Sequence, residues 1–218
     1  MRRLVLLLAV MAAALVLASG VALAVSRVGT DGHDVLKGTD GEDNLVGLGG
    51  QDDIFGKGGS DNLVGGPGKD NVLGGDERRP RGGDKNLVGG PGNDLVLGGK
   101  GSDNIVGEDG NDLADGGSGA DNIVGGNGTD LLSDGEFRGG AKDTLSGGDG
   151  NDFLNPLNAP AGRDVVSCGG GFDRVLADRK DTVAKDCEKV FVGLDSEEKF
   201  FKSIPRGFFR GLPPNPFR

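Results

Sequence analysis

The chain has no tryptophan, no tyrosine and one histidine, His33. Chemistry that needs indole or phenol is excluded. A Ser-His-Asp or Cys-His set would have to be built on one imidazole at a variable turn position, and no such set can be assembled around His33. Cysteine is scarce too: Cys168 and Cys187 are the only two, and they are not in a C-x-x-C spacing, which argues against a thiol-redox pair. After residue 24 there is no apolar run long enough to cross a bilayer as a helix. Hydrophobic side chains make up 35% of the 218, and the 45 glycines add none to bury. A conventional core is therefore not expected.

What is abundant is glycine, with 45 residues, and acid, with 34 Asp and Glu against 24 Lys and Arg. The net charge is −10. Arg2 and Arg3 at one end, and Lys199, Lys202, Arg206, Arg210 and Arg218 at the other, have no acid among them, so residues 25–198 carry −17. Such a body repels nucleic acid and anionic membrane surfaces and attracts cations.

Arg2 and Arg3 precede the apolar stretch "LVLLLAVMAAALVLASGVALA", which ends in Ala22-Leu23-Ala24. This is the pattern of a secretory signal peptide over residues 1–24, with a retained membrane anchor as the alternative. The expected address is secreted or extracellular, with cell-surface association open.

Beyond the leader, aliphatic residues recur every nine positions: Leu36, Leu45, Ile54, Leu63 and Val72, then Leu87, Val96, Ile105, Ala114, Ile123 and Leu132. Leu145, Leu154, Val166 and Val175 follow at longer steps. Two residues before each stands an aspartate: Asp34, Asp43, Asp52, Asp61, Asp70, Asp94, Asp103, Asp112, Asp121, Asp130, Asp143, Asp152, Asp164 and Asp173. Lys85 is the one exception in fifteen rows. Each regular row reads G-G-x-G-x-D-x-U-x, with U aliphatic. Glycines at the first, second and fourth places predict a tight turn, and the last three residues a short strand. One row buries one aliphatic side chain, too little to order nine residues, so rows must stack. Alternate rows read alike, as in "DNLV" at 43–46 and 61–64 and "DNIV" at 103–106 and 121–124. The unit is therefore two rows, about eighteen residues, with odd rows in one parallel sheet and even rows in the other. The extra residues near 74–81 must bulge out as a loop.

At these residues the sequence resembles the RTX family of calcium-binding nonapeptide repeats. The resemblance is close over residues 29–155 and loose to about 190. It implies an all-β, right-handed parallel β-roll, a two-sheet solenoid that binds several calcium ions. It also implies that the fourteen aspartates supply side-chain ligands while turn carbonyls supply the rest. The third-place acids Asp31, Asp40, Asp109 and Asp149 would add charge. At Lys85 a full site is not expected: either the ammonium stands in for an ion or the insertion breaks the ladder. The physics agrees. Carboxylates stacked at the ~4.8 Å strand spacing repel one another. Hard oxygen ligands on glycine-rich turns suit Ca²⁺ better than Mg²⁺ or soft metals.

The expected organisation is a leader (1–24), a regular roll (25–155), degenerate repeats and a cap (156–193), and a Phe/Pro/basic tail (194–218) without stable helix, expected to be disordered or to dock on an anionic surface. In an exported chain the even cysteine count favours a Cys168–Cys187 disulfide closing the cap, with two free thiols as the alternative. No catalytic residue is identified. The expected role is a calcium-dependent structural or adhesive module that folds on binding Ca²⁺. Its partner would be an unknown protein or cell surface, or a second copy through outward ladders such as Leu73, Leu95, Leu97, Leu113 and Leu131. An accessory or remnant module of an extracellular hydrolase, with the catalytic activity elsewhere, is the alternative.

Overall fold

A computed structural model of the chain describes residues 24–76, 86–135, 140–157, 162–193, 197–205 and 212–213. The leader over 1–23, most of the 74–81 insertion, Lys85 and most of the tail beyond Pro205 lie outside these residues.

The nine-residue period becomes a parallel two-sheet solenoid with about eighteen residues per coil. Sheet A holds β1 (Ser26–Val28), β3 (Asn44–Val46), β5 (Asn62–Val64), β7 (Asn86–Val88), β9 (Asn104–Asp109), β11 (Asn122–Gly128), β13 (Thr144–Gly150), β15 (Val165–Gly171) and β17 (Thr182–Val183), in that spatial order. Sheet B holds β2 (Val35–Lys37), β4 (Asp53–Lys57), β6 (Asn71–Asp76), β8 (Leu95–Lys100), β10 (Leu113–Ser118), β12 (Leu131–Ser133), β14 (Phe153–Asn155), β16 (Arg174–Ala177) and β18 (Lys189–Val192). Every strand pairs with the strand two rows away, so consecutive rows alternate between sheets.

The register never slips. Leu63 pairs with Leu87 across the long insertion just as Leu45 pairs with Leu63. The register is thus the same on both sides of residues 77–85, where the expected loop falls and which lie outside the described residues. The fifteen aliphatic residues of the period form one continuous core between the sheets. Fully burying one of these side chains contributes about 1.5–3 kcal/mol, whereas fixing nine backbones costs about 1–2 kcal/mol each. The core alone cannot hold a row. Inter-coil hydrogen bonds add to it, including an outward ladder on sheet A. There Asn62, Asn86, Asn104 and Asn122 each donate from Nδ2 to the Oδ1 of the asparagine one coil earlier, at 2.7–3.3 Å.

Two features depart from expectation. Sheet A begins one strand early, with β1 placing Arg27 opposite Leu45. The tail, expected to lack stable helix, forms α1 (Glu197–Ser203). Pro205 follows the helix rather than interrupting it, and proline just past a C-terminus is compatible with the turns before it. A two-turn helix has little stability of its own. Packing supplies it: Phe200 is fully buried, edge-on to Phe153 and Phe191 at 6.3 and 6.0 Å between ring centres. Leu176 completes this cluster, with Leu131, Leu157 and Ile204 packed around it. The helix thus covers the C-terminal end of the outward apolar face on sheet B. The disulfide Cys168–Cys187 is present, with Cα atoms 5.2 Å apart.

Candidate metal centre

The turns between strands are shaped by backbone that only glycine adopts easily. Gly66 at a second place and Gly50 at a fourth have φ of 106° and 117°. A Cβ on Gly66 would collide with the Leu48 carbonyl one coil earlier. Leu48, Lys57 and Glu108 hold the second-place conformation without being glycine, at φ of 81–83°. The first-place glycine serves a different need. A Cβ on Gly47 would run into Oδ2 of Asp52, in its own row, and the carbonyl oxygen of Gly65, one coil on. The same pair of oxygens, a carboxylate Oδ2 and a carbonyl from the next coil, recurs at Gly56, Gly65, Gly89, Gly98, Gly107, Gly125 and Gly147. Glycine at the first place keeps open a cradle where these oxygens converge.

The two oxygens of each aspartate are used differently. Oδ1 ties coils together. Along one column the backbone N–H of Asp34 donates to Asp52 Oδ1, Asp52 to Asp70, Asp70 to Asp94, Asp94 to Asp112, Asp112 to Asp130, Asp130 to Asp152 and Asp152 to Asp173, at 2.7–2.9 Å. The other column does the same from Asp43 to Asp61 and from Asp103 through Asp121 and Asp143 to Asp164, at 2.6–2.8 Å. Oδ2 points into the cradle. In Asp52, Asp70, Asp94, Asp112, Asp130, Asp152 and Asp173 it is sealed from solvent with no hydrogen-bond partner among the described residues. A buried carboxylate oxygen without a donor is costly unless a cation or proton meets it. Burial accordingly pushes Asp94 and Asp130 up to about 8, against the opposing pull of a backbone N–H and with neighbouring aspartates adding to the rise. Asp112, Asp152 and Asp164 rise to about 7, and Asp61 and Asp70 to about 6, for the same leading cause.

All fourteen predicted aspartates fall on these two columns. Thirteen are buried and Asp34, at the N-terminal end, is half-buried. Asp34 and Asp43 differ from these seven, because their Oδ2 accepts from the backbone N–H and hydroxyl of Thr30 and Thr39. The third-place acids Asp31, Asp40, Asp109 and Asp149 lie exposed on the outer rim. Lys85 lies outside the described residues.

The sequence reading missed two contributors. Asp134 is buried where other rows carry the first glycine, and its carboxylate lies within 4.8 Å of those of Asp143 and Asp164. An acid replacing that glycine in "LLSDG" was the available signal. Glu188 extends one column past Asp173, accepting from the Asp173 N–H at 2.8 Å. It stands two residues before Val190, the position an aspartate holds elsewhere.

The residues fit a hard divalent cation. The donors are oxygen only, part carboxylate and part carbonyl, on glycine turns that allow the high, flexible coordination of calcium. A family model described as the RTX calcium-binding nonapeptide repeat matches residues 28–63, 47–77, 82–114, 97–132 and 139–155. No curated protein matches the chain at a significant level. The matched segments cover more than half of the sequence, and the chain belongs to the RTX calcium-binding nonapeptide repeat family.

Proposed function

We propose that this RTX chain is a secreted, non-catalytic module whose folding is coupled to calcium and which serves as a structural or adhesive element outside the cell. The observation that carries the reading is the repeated Oδ2 atom, buried beside a carbonyl of the next coil and lacking a donor. Filled with cations, the columns hold adjacent coils together. Emptied, they stack like charges at strand spacing, each pair repelling by about 1 kcal/mol in water and about 4 kcal/mol at an effective dielectric of 20. Each ion that binds only the roll, held at 100 times its dissociation constant, adds about 2.7 kcal/mol. Extracellular calcium modules bind at about 10⁻⁴–10⁻³ M, which suits a ligand set met outside the cell. Export is supported by the leader pattern at 1–24 and by the Cys168–Cys187 disulfide, a bond of oxidising compartments.

Circular dichroism with and without chelator tests the coupling. The expected result is cooperative gain of β signal as calcium reaches millimolar levels and its loss in EDTA. A compact β-rich spectrum after exhaustive EDTA dialysis overturns the reading.

A further inference from the structure

Sheet B carries a second row of apolar side chains, on the side away from the core. Leu95 and Leu97 of β8, Leu113 of β10 and Leu131 of β12 face outward and are half-buried. The row runs into the cluster that α1 covers, where Leu131 packs against Phe153, Leu176 and Phe200. Next to that junction lies a cavity of about 260 Å³, walled by Leu113, Leu131, Leu157 and Phe201. Phe201 is still 45% exposed, an aromatic ring with an open face. Asp115 and Asn155 also line the cavity, and Asn155 Oδ1 is sealed from solvent with no hydrogen-bond partner among the described residues. A sealed acceptor of that kind calls for a donor. Apolar walls with acceptor oxygens suit a segment that brings aromatic rings and cationic N–H groups together.

The end of the chain has this chemistry. Residues 206–218 read "RGFFRGLPPNPFR", with three arginines, three phenylalanines and no acid. Within them Leu212 is half-buried and Pro213 is buried. A proline eight positions past Pro205 is covered only where other groups pack on it, so the chain after α1 returns to a packed position. The reach is sufficient. Six extended residues, 206–211, span up to about 20 Å, and neighbouring strands lie about 4.8 Å apart.

We propose that the outward face of sheet B from β12 to β8 is the seat of the chain's own C-terminal segment, residues 206–218, which continues the contact begun by Phe200, lays phenylalanine on the leucine row and turns an arginine toward Asp115 and Asn155. The occupant belongs to the same chain because α1 already holds its start. Tethered at Pro205, the segment meets this face at an effective concentration that a separate partner has to match. Charge agrees as well: burial raises the Asp115 carboxyl above its ordinary value, and a guanidinium beside it offsets that cost.

The chain has no tryptophan or tyrosine, so one introduced indole reports alone. Phe208→Trp and Phe209→Trp are made singly in the full mature chain and read in calcium. At least one indole is expected to emit to the blue of the same indole in a free peptide of residues 204–218, with several-fold weaker quenching by acrylamide. Adding Leu113→Asp should return emission and quenching to the peptide's values while the circular dichroism holds. Asp115→Lys gives a second reading, since it repels the arginine and should expose the indole. The proposal is overturned if both indoles are as exposed as in the peptide, or if neither change on sheet B alters the shielding. Shielding lost on dilution assigns the face to a second copy, and shielding seen only with phosphatidylserine/phosphatidylcholine vesicles assigns the segment to a lipid surface; either result overturns it too.

Discussion

The coils before residue 156 and those after residue 162 share one register but not one means of support. In the regular coils the first place is glycine except at Asp134, and the cradle oxygens converge there. In the last coils Cys168 and Ala177 bring a Cβ to that place. What replaces the cradle is a disulfide and an aromatic cluster. Cys168 is fully buried and bonded to Cys187, while Phe200 of α1 packs onto Phe153 and Leu176. The difference teaches that register and support are separable. A coil needs its aliphatic row and its inter-coil hydrogen bonds in either region, but beside so small a core one region carries a cradle of cation-ligating oxygens and the other a disulfide and an aromatic cluster.

The contrast breaks most visibly under two treatments run side by side. In calcium, reducing agent should leave most of the β signal and lower the melting temperature, while EDTA without reductant should abolish the β signal of the regular coils. Equal responses to the two would erase the distinction.

Proton competition should come next in size. A carboxyl whose folded value lies above its free value of 3.8 favours the fold while protonated. The metal-free roll should therefore be most ordered in acid, losing that stability as pH rises through about 6, where Asp61 and Asp70 ionise, to about 8, where Asp94 and Asp130 do. With calcium present the sign reverses, since the ion needs the ionised form. The calcium concentration at half-folding should rise as pH falls from 8 to 6. Titrations followed by circular dichroism at several pH values would show both trends, and a pH-independent midpoint would contradict them.

Phe200→Ala tests the aromatic support. It removes a fully buried ring and should cost about 3–5 kcal/mol in the C-terminal coils. Hydrogen exchange should rise around β16 and β18 while calcium affinity of the regular coils stays as in wild type. Cys168→Ser/Cys187→Ser should cost on the order of 3 kcal/mol for a loop of this size, again confined to the C-terminal end. The smallest effect belongs to the regular coils: Leu48→Gly relieves a positive φ and should stabilise the calcium-bound roll by about 1 kcal/mol in denaturant melts.

Much of this was legible because the repeat encodes its own geometry. Aspartate two residues before an aliphatic is enough to place each row on an edge and in a core, and the alternation of "DNLV" rows assigns them to sheets. The exceptions share a cause. Arg27 in β1 lacks the aliphatic that marks a row, yet the strand forms because Leu45 offers a free edge to pair with. Asp134 lies beside one column and Glu188 at the end of the other while breaking the glycine or aspartate rule. Phe200 was read from prolines and glycines near it in sequence, whereas its fate was decided by Phe153 and Phe191 across the fold.

By itself the sequence determined the coil length, the sheet assignment, the single-file core and the two lines of carboxylates, because a strict period forces like residues to stack. Tertiary structure alone decided which oxygen of each aspartate ties coils and which is left facing the cradle. It also decided that a two-turn helix locks the far end. Those outcomes depend on which groups meet across coils, and contacts between distant residues carry no mark in a nine-residue pattern.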